Sequence, residues 1–150
     1  MTQQVSQQAY RTITPLATAL PMAYQASPKE YKYVHAAKLH IDNLMPGDTL
    51  AVTSSDEAST ASTAYPHSVM FGHFTTANGI QITRPMGTNI VVGEHHCVLS
   101  AGGFYVCPDN KPVDLVLVMY AASLTGPVNS DSLVLNYVDL QALVTRFREV

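Results

Sequence analysis

Charged side chains are scarce in this sequence of 150 residues. Asp, Glu, Lys and Arg make up 13% of it, about half of the quarter that is usual in globular domains. Hydrophobic residues make up an ordinary 47%, so the shortage concerns the surface rather than the core. Because interface cores are depleted in charge, this composition favours a domain that other chains cover. The alternative is a monomer with a surface of Ser, Thr, Asn and Gln.

Basic residues are few and lie far apart along the chain. Eight Lys and Arg stand against eleven Asp and Glu, which gives a net charge of −3. We expect no direct contact with nucleic acid, because phosphates attract clustered positive charge. The N-terminal residues lack the charged-then-apolar form of a signal peptide. We therefore expect the chain to be made in a cytoplasm and to leave it only within an assembly.

Cysteine and tryptophan are also nearly absent. Two Cys cannot form a disulfide framework. Residues 101–103, Ala-Gly-Gly, predict a hairpin loop that would place Cys97 opposite Cys107. In a reducing compartment we expect two buried thiols, with a disulfide as the alternative. The lack of Trp to stack on sugar rings disfavours a carbohydrate-binding module.

The longest strongly apolar segment is Val113–Ala122. Both faces of the predicted strand are apolar, with Leu115 and Leu117 on one face and Val116 and Val118 on the other. A strand with one face in water alternates apolar and polar residues, so this strand is predicted to lie between two layers or to face another subunit. It is shorter than the roughly 20 residues of a membrane span, so we expect no membrane partner.

Two turn signals predict β-hairpins. The alternating segment Tyr31–Leu44 leads into Pro46-Gly47, which suits a type II turn followed by a return strand. Asn78-Gly79 is predicted to join Ser68–Ala77 to Ile80–Arg84. Counting the other extended segments, about seven short strands separated by Pro and Gly turns predict a mostly β chain folded as an antiparallel β-sandwich or jelly roll.

The first 29 residues are predicted to form an extended arm, separate from a sandwich domain of residues 30–150. Three prolines interrupt any helix of useful length in the arm. Its apolar side chains are expected to anchor it on its own surface or on a neighbour's: Ile13, Leu16, Leu20, Met22 and Tyr24. Deleting residues 1–29 is expected to leave the sandwich folded and to weaken assembly.

Two further segments are assigned from period and composition. Residues 139–150 are predicted to form a short C-terminal helix that Asp139 caps, because Leu140, Leu143, Val144 and Phe147 recur at helical spacing. Residues 54–64, SSDEASTASTA, are predicted to be a mobile surface loop in which acidic side chains are solvated.

Side chains able to bind a metal or to act in catalysis form no recognised pattern. His73, His95 and either Glu94 or Asp114 could meet from different strands, but the histidine spacing departs from the cupin pattern. His95 and Cys97 share a strand face, yet no third group or oxyanion site completes a catalytic arrangement. We expect no metal, no cofactor and no enzymatic activity.

The layout of the chain combines the arm 1–29, the turns at Pro46-Gly47 and Asn78-Gly79, and the double-faced strand Val113–Ala122. In this layout it resembles the decoration (cement) proteins of tailed-phage capsids and, more loosely, small jelly-roll virion proteins. The resemblance implies a virion component, assembled in the host cytoplasm, whose partners are copies of itself and a capsid shell protein. Besides the apolar residues of the arm, the expected interface comprises Val116, Val118, Tyr120, Leu143 and Phe147.

Two other classes of function stay open. A ligand- or carbohydrate-binding sandwich would present exposed aromatic side chains, for which Tyr65, Phe71, Phe74 and Tyr105 are candidates. A cupin-like, metal-dependent enzyme would use the histidine set given above.

Overall fold

The structure is a computed structural model, and it describes residues 1–59, 68–90, 96–124 and 132–149. Apart from one short 3-10 turn at Pro28–Glu30, its regular elements are β-strands. In chain order they are β1 (Thr2–Tyr24), β2 (Val34–Ile41), β3 (Thr49–Ser59), β4 (Ser68–Thr76), β5 (Met86–Ile90), β6 (His96–Val106), β7 (Val113–Ser123) and β8 (Ser132–Glu149).

The strands form two sheets that one long strand joins. Sheet A has the order β1-β8-β3-β6, and all of its neighbours are antiparallel. Sheet B has the order β5-β4-β7, with β2 on the other edge of β7. The last residues of β1 leave sheet A and pair parallel to β7, with Ala23 opposite Ala122. The predicted mostly β class is confirmed, and β1 links the two sheets into one continuous strand order.

The core lies between the two sheets. Leu50 and Leu140 from sheet A meet Phe74, Leu117 and Met119 from sheet B in one cluster, and all five are fully buried. Burial of each such side chain stabilises the fold by about 1.5–3 kcal/mol. The strands of sheet A therefore turn one face inward and leave the other face toward solvent, whereas both sides of β7 in sheet B are buried.

The predicted C-terminal helix is wrong, because residues 132–149 form β8. The inward residues of β8 alternate: Val138, Leu140, Ala142 and Val144 are buried. Leu143 and Phe147, which the helical spacing grouped with Leu140 and Val144, face outward instead. Pairing with β1 on one side and β3 on the other supplies backbone hydrogen bonds along most of β8. Pairing with neighbouring strands thus determines that this segment is a strand, whereas its local sequence fits either a helix or a strand. The described residues contain no α-helix.

The predicted hairpin around residues 101–103 is also wrong. β6 runs without interruption and pairs with β3 from Val106 opposite Thr49 to His96 opposite Ser59. Cys97 lies opposite Ala58, and Cys107 is about 33 Å further along at about 3.3 Å per residue, which is too far for a disulfide. Burial raises the pKa of the free Cys107 thiol to about 11.

The turn at Pro46-Gly47 forms, but it connects the two sheets instead of closing a hairpin. The Asp48 amide donates to the Met45 carbonyl over 3.0 Å, as in a four-residue turn. The strand before it, β2, pairs with β7 in sheet B, whereas β3 after it pairs with β6 and β8 in sheet A. The Asp48 carboxylate is buried and accepts two hydrogen bonds from Arg146 of β8, of 3.0 and 2.8 Å, which hold this crossover in place.

The Asn78-Gly79 turn is confirmed, with a positive φ of 84° at the glycine. β4 and β5 pair antiparallel on its two sides, although residues 80–84 contribute only an isolated bridge between Thr75 and Gln81. β7 is the central strand of sheet B, with β4 on one edge and β2 on the other. Every residue from 115 to 123 is buried within this chain, so neither side of β7 is wet, as its sequence pattern predicts.

Candidate interaction surface

The four strands of sheet A present a flat outer face whose register is continuous. Residues opposite each other on neighbouring strands point to the same side of a sheet. Ala9, Leu143, Ala51 and Phe104 therefore form one row across the sheet. We define the outer face of sheet A by four such rows: Gln7-Thr145-Thr49-Val106, Ala9-Leu143-Ala51-Phe104, Arg11-Gln141-Thr53-Gly102 and Ile13-Asp139-Ser55-Ser100.

Large apolar side chains on this face are exposed to solvent. Phe104 is 61% exposed, Val106 52%, Ile13 47% and Leu143 37%. A shallow groove of about 420 Å³ beside Leu143 is lined mainly by apolar atoms. Phe104 and Val106 are neighbours on β6, and exposed apolar side chains grouped in this way mark candidate sites of contact with other proteins.

The charges on the outer face of sheet A neutralise each other. Arg11 donates to both carboxylate oxygens of Asp139, from Nε over 3.0 Å and from Nη2 over 2.7 Å. These hydrogen bonds lower the pKa of Asp139 and raise that of Arg11, so both stay charged near neutral pH. They are the only charged side chains among the sixteen positions of the face as defined above. The face therefore suits a neutral, apolar partner.

Three of the ten predicted interface residues lie on this side of sheet A. Ile13 and Leu143 belong to the face itself, and Phe147, which is 44% exposed, extends it along β8. The sequence interpretation missed Phe104 and Val106, because it placed a hairpin loop at residues 101–103, within what is the continuous strand β6. The alternation of β6 residues opposite β3 is the signal that identifies them.

The remaining predicted interface residues belong to the chain's own packing, apart from Leu16, whose side chain lies outside the described set. Leu20 and Met22 are in the core, and Tyr24 is partly buried. Val116 and Val118 of β7 are 5% and 6% exposed within the single chain. The apolar outer side of β7 thus needs no partner subunit to explain it.

Tyr120 is covered by aromatic side chains on the outer side of sheet B. It stacks on Tyr31 and Phe71, with ring centroids 5.2 and 4.9 Å apart, and meets the edge of Tyr33 at 4.9 Å. Phe71 and Tyr33 are therefore engaged with the chain's own rings.

The other aromatic candidates for a ligand site do not join that cluster. Phe74 is fully buried in the core, and Tyr105 lines a separate cavity of about 230 Å³. Tyr65 lies outside the described residues.

The candidate metal ligands do not converge in the part of the chain that the structure describes. His73 pairs with Val118, about 13 Å along β7 from Asp114 at about 3.3 Å per residue. Asp114 instead contacts His40 Nδ1 at 2.6 Å, and this contact lowers the pKa of Asp114 and raises that of His40. No group of three potential ligands is found among the described residues, and Glu94 and His95 lie outside them.

A buried carboxylate inside sheet A is the other unusual group. Residues 54–59 belong to β3, so the predicted loop is wrong for this part, and residues 60–64 lie outside the described set. Asp56 points inward and is 1% exposed. Ser54 Oγ donates to its Oδ2 over 2.9 Å, while its Oδ1 has no hydrogen-bond partner among the described residues. Burial raises the pKa of Asp56 to about 7.

The described strands form a nearly all-β fold of two sheets that share β1, and solved structures have a similar fold. No family model and no curated protein sequence matches the chain. VP2 of the infectious bursal disease virus subviral particle matches 98% of this chain with a TM-score of 0.61 at 9% identity. A chain of the T13 particle of the same virus matches 98% with a TM-score of 0.59 at 11% identity.

The likeness to these proteins is one of fold. This chain covers 38% and 36% of the two viral chains, so it spans less than two fifths of their length. Latent dimeric PorU from Porphyromonas gingivalis also matches 93% of this chain, with a TM-score of 0.50 at 13% identity, over 13% of its own length. Within the described residues, no helix has the length and hydropathy that a membrane span requires.

Proposed function

We propose that this chain is a structural component of a virion that acts by packing against other protein subunits rather than by catalysis. The outer face of sheet A carries the proposal, because it exposes several large apolar side chains and its two charges pair with each other. The shared fold with viral particle proteins supports it. Decoration of a capsid shell, in a particle assembled in the host cytoplasm, is the specific role that the layout of the sequence suggests. The partners would be copies of this chain and a shell protein.

Burial of apolar area would drive the contact. Each square ångström of apolar surface removed from water contributes about 25 cal/mol before the costs of association. Phe104 and Val106 protrude from the face and would be the first side chains to be covered. Since Arg11 and Asp139 already satisfy each other, covering them leaves no unpaired charge.

Light scattering over a concentration series tests the proposal. The variant Phe104→Glu places a charge on the outer face of sheet A and is expected to lower the solution mass. The matched control is Ile80→Glu, which changes a side chain that is 56% exposed, against 61% for Phe104, but lies beside the Asn78-Gly79 turn. An assembly that survives Phe104→Glu and is lost in Ile80→Glu would place the contact elsewhere and refute the proposal.

A further inference from the structure

From the relief of the outer face of sheet A we infer that its partner is the same face of a second copy of this chain, related by a two-fold axis that runs along β3. The inference rests on the proposed function and adds the identity and geometry of the partner. Neutrality is the first observation that supports it. A face whose two charges already pair with each other offers nothing to a charged partner, and its own copy is equally neutral.

The sizes of the side chains place the axis. Within the four rows the outward residues of β3 are small, Thr49, Ala51, Thr53 and Ser55, so two copies of this segment can approach closely; Glu57, the next outward residue, lies beyond the rows. The neighbouring strand β6 carries the protruding side chains of Phe104 and Val106. Small side chains on the central strand and large ones on its neighbour allow two identical faces to fit together, because the large side chains of each copy lie beside the small ones of the other.

A two-fold axis along β3 places β6 of one copy over β8 of the other. Phe104 of one copy then lies over Leu143 of the second, because both belong to the same row and are each one strand away from β3. The groove beside Leu143, with Ala9 and Ala51 in its lining, provides space for the aromatic ring. The relation is reciprocal, so each contact is made twice, as an isologous interface requires.

The area indicates a weak contact. Three strands spaced about 4.8 Å apart, over the roughly seven residues that the four rows span, give a patch of about 330 Å² on each copy. The two copies together bury about 700 Å², which is below the roughly 1,200 Å² at which stable specific interfaces begin. A pair of this size suits a particle in which each subunit makes several contacts.

Cross-linking between single cysteines tests the geometry. Face-to-face sheets pack about 10 Å apart, so Ala51 would lie about 10 Å from Ala51 of the second copy. Ala9 lies in the same row but two strands from the axis, so its two copies would be more than about 20 Å apart. Ala51→Cys and Ala9→Cys are therefore matched variants, made in the full chain with Cys97 and Cys107 changed to Ala. The reagent is a bismaleimide that spans about 10 Å.

The expected result is a cross-linked dimer with Ala51→Cys and none with Ala9→Cys. Cross-linking of Ala9→Cys, alone or together with Ala51→Cys, would overturn the inference, and so would the absence of any cross-link. If neither variant cross-links while Phe104→Glu still lowers the solution mass, the proposed function stands and only the two-fold geometry fails. If Phe104→Glu leaves the mass unchanged, the proposed surface itself is refuted.

Discussion

Replacing Asp56 by Asn should lower the free energy of unfolding at acid pH and raise it above neutral pH. Asp56 is enclosed by the core, and only Ser54 donates to it among the described residues. Asn keeps the shape and the acceptor for Ser54 Oγ but cannot ionise. The variant therefore separates the cost of the buried charge from the packing of the side chain.

The magnitude follows from the pKa of about 7 in the folded state against the ordinary value of 3.8. Below pH 4 the carboxyl is protonated in both the folded and the unfolded chain, so Asp56 contributes its full stability there. Between pH 4 and pH 7 the unfolded chain ionises first, and the free energy of unfolding falls by about 1.4 kcal/mol per pH unit. The loss reaches about 4 kcal/mol above pH 7 and then stays constant.

In Asp56→Asn this pH-dependent loss is absent, but the new amide N–H₂ lacks a partner, which costs about 1–3 kcal/mol at every pH. We expect the variant to be less stable than the wild type at pH 4 and more stable at pH 8. The assay is urea denaturation at both pH values and between them, at concentrations where the chain is monomeric. Asp109→Asn, in an exposed loop, controls for the removal of one surface charge. A stability difference between wild type and Asp56→Asn that does not change with pH would refute the reasoning.

Two further changes follow from the fold. Asp48→Asn should lower the free energy of unfolding by about 1–3 kcal/mol at pH 7, because Arg146 loses its charged acceptor. Arg146 lowers the pKa of Asp48, so this loss should shrink as the pH falls below 4 and through that lowered pKa, and urea titrations against pH measure it. The sequence alone suggested that deletion of residues 1–29 would leave the sandwich folded, but these residues contain β1, with Leu20 and Met22 in the core. The deletion should therefore abolish cooperative unfolding followed by circular dichroism, and a folded truncated chain would contradict this.

Local sequence patterns correctly predict the elements whose structure does not depend on pairing with distant strands. The strand Val113–Ser123 is apolar on both sides because it is central in sheet B, and it could be predicted from that pattern alone. Asn78-Gly79 closes its turn through backbone conformation, which is a local property. The scarcity of charge favours a surface that other chains cover, which stays a prediction, and composition cannot say where that surface lies.

Elements that depend on distant pairing could not be predicted in the same way. β8 has apolar residues that fit either period, and its pairing with β1 involves residues up to 147 positions apart. Gly103 lies inside β6, where a Cβ would overlap the side chain of Thr83, so this glycine serves close packing instead of a turn. A glycine required for close approach and one required for a loop look alike in a single sequence.

The energetics of the outer face of sheet A explain why it is exposed on a stable subunit. The core buries its own leucines and aromatic residues without help from Phe104 or Val106, which remain more than half exposed. Covering a few such side chains contributes about 1.5–3 kcal/mol each, whereas association costs at least about 4 kcal/mol in lost motion. One pair of faces is therefore only marginally bound. Several contacts made together by each subunit would hold firmly, because the later contacts form at a high effective concentration.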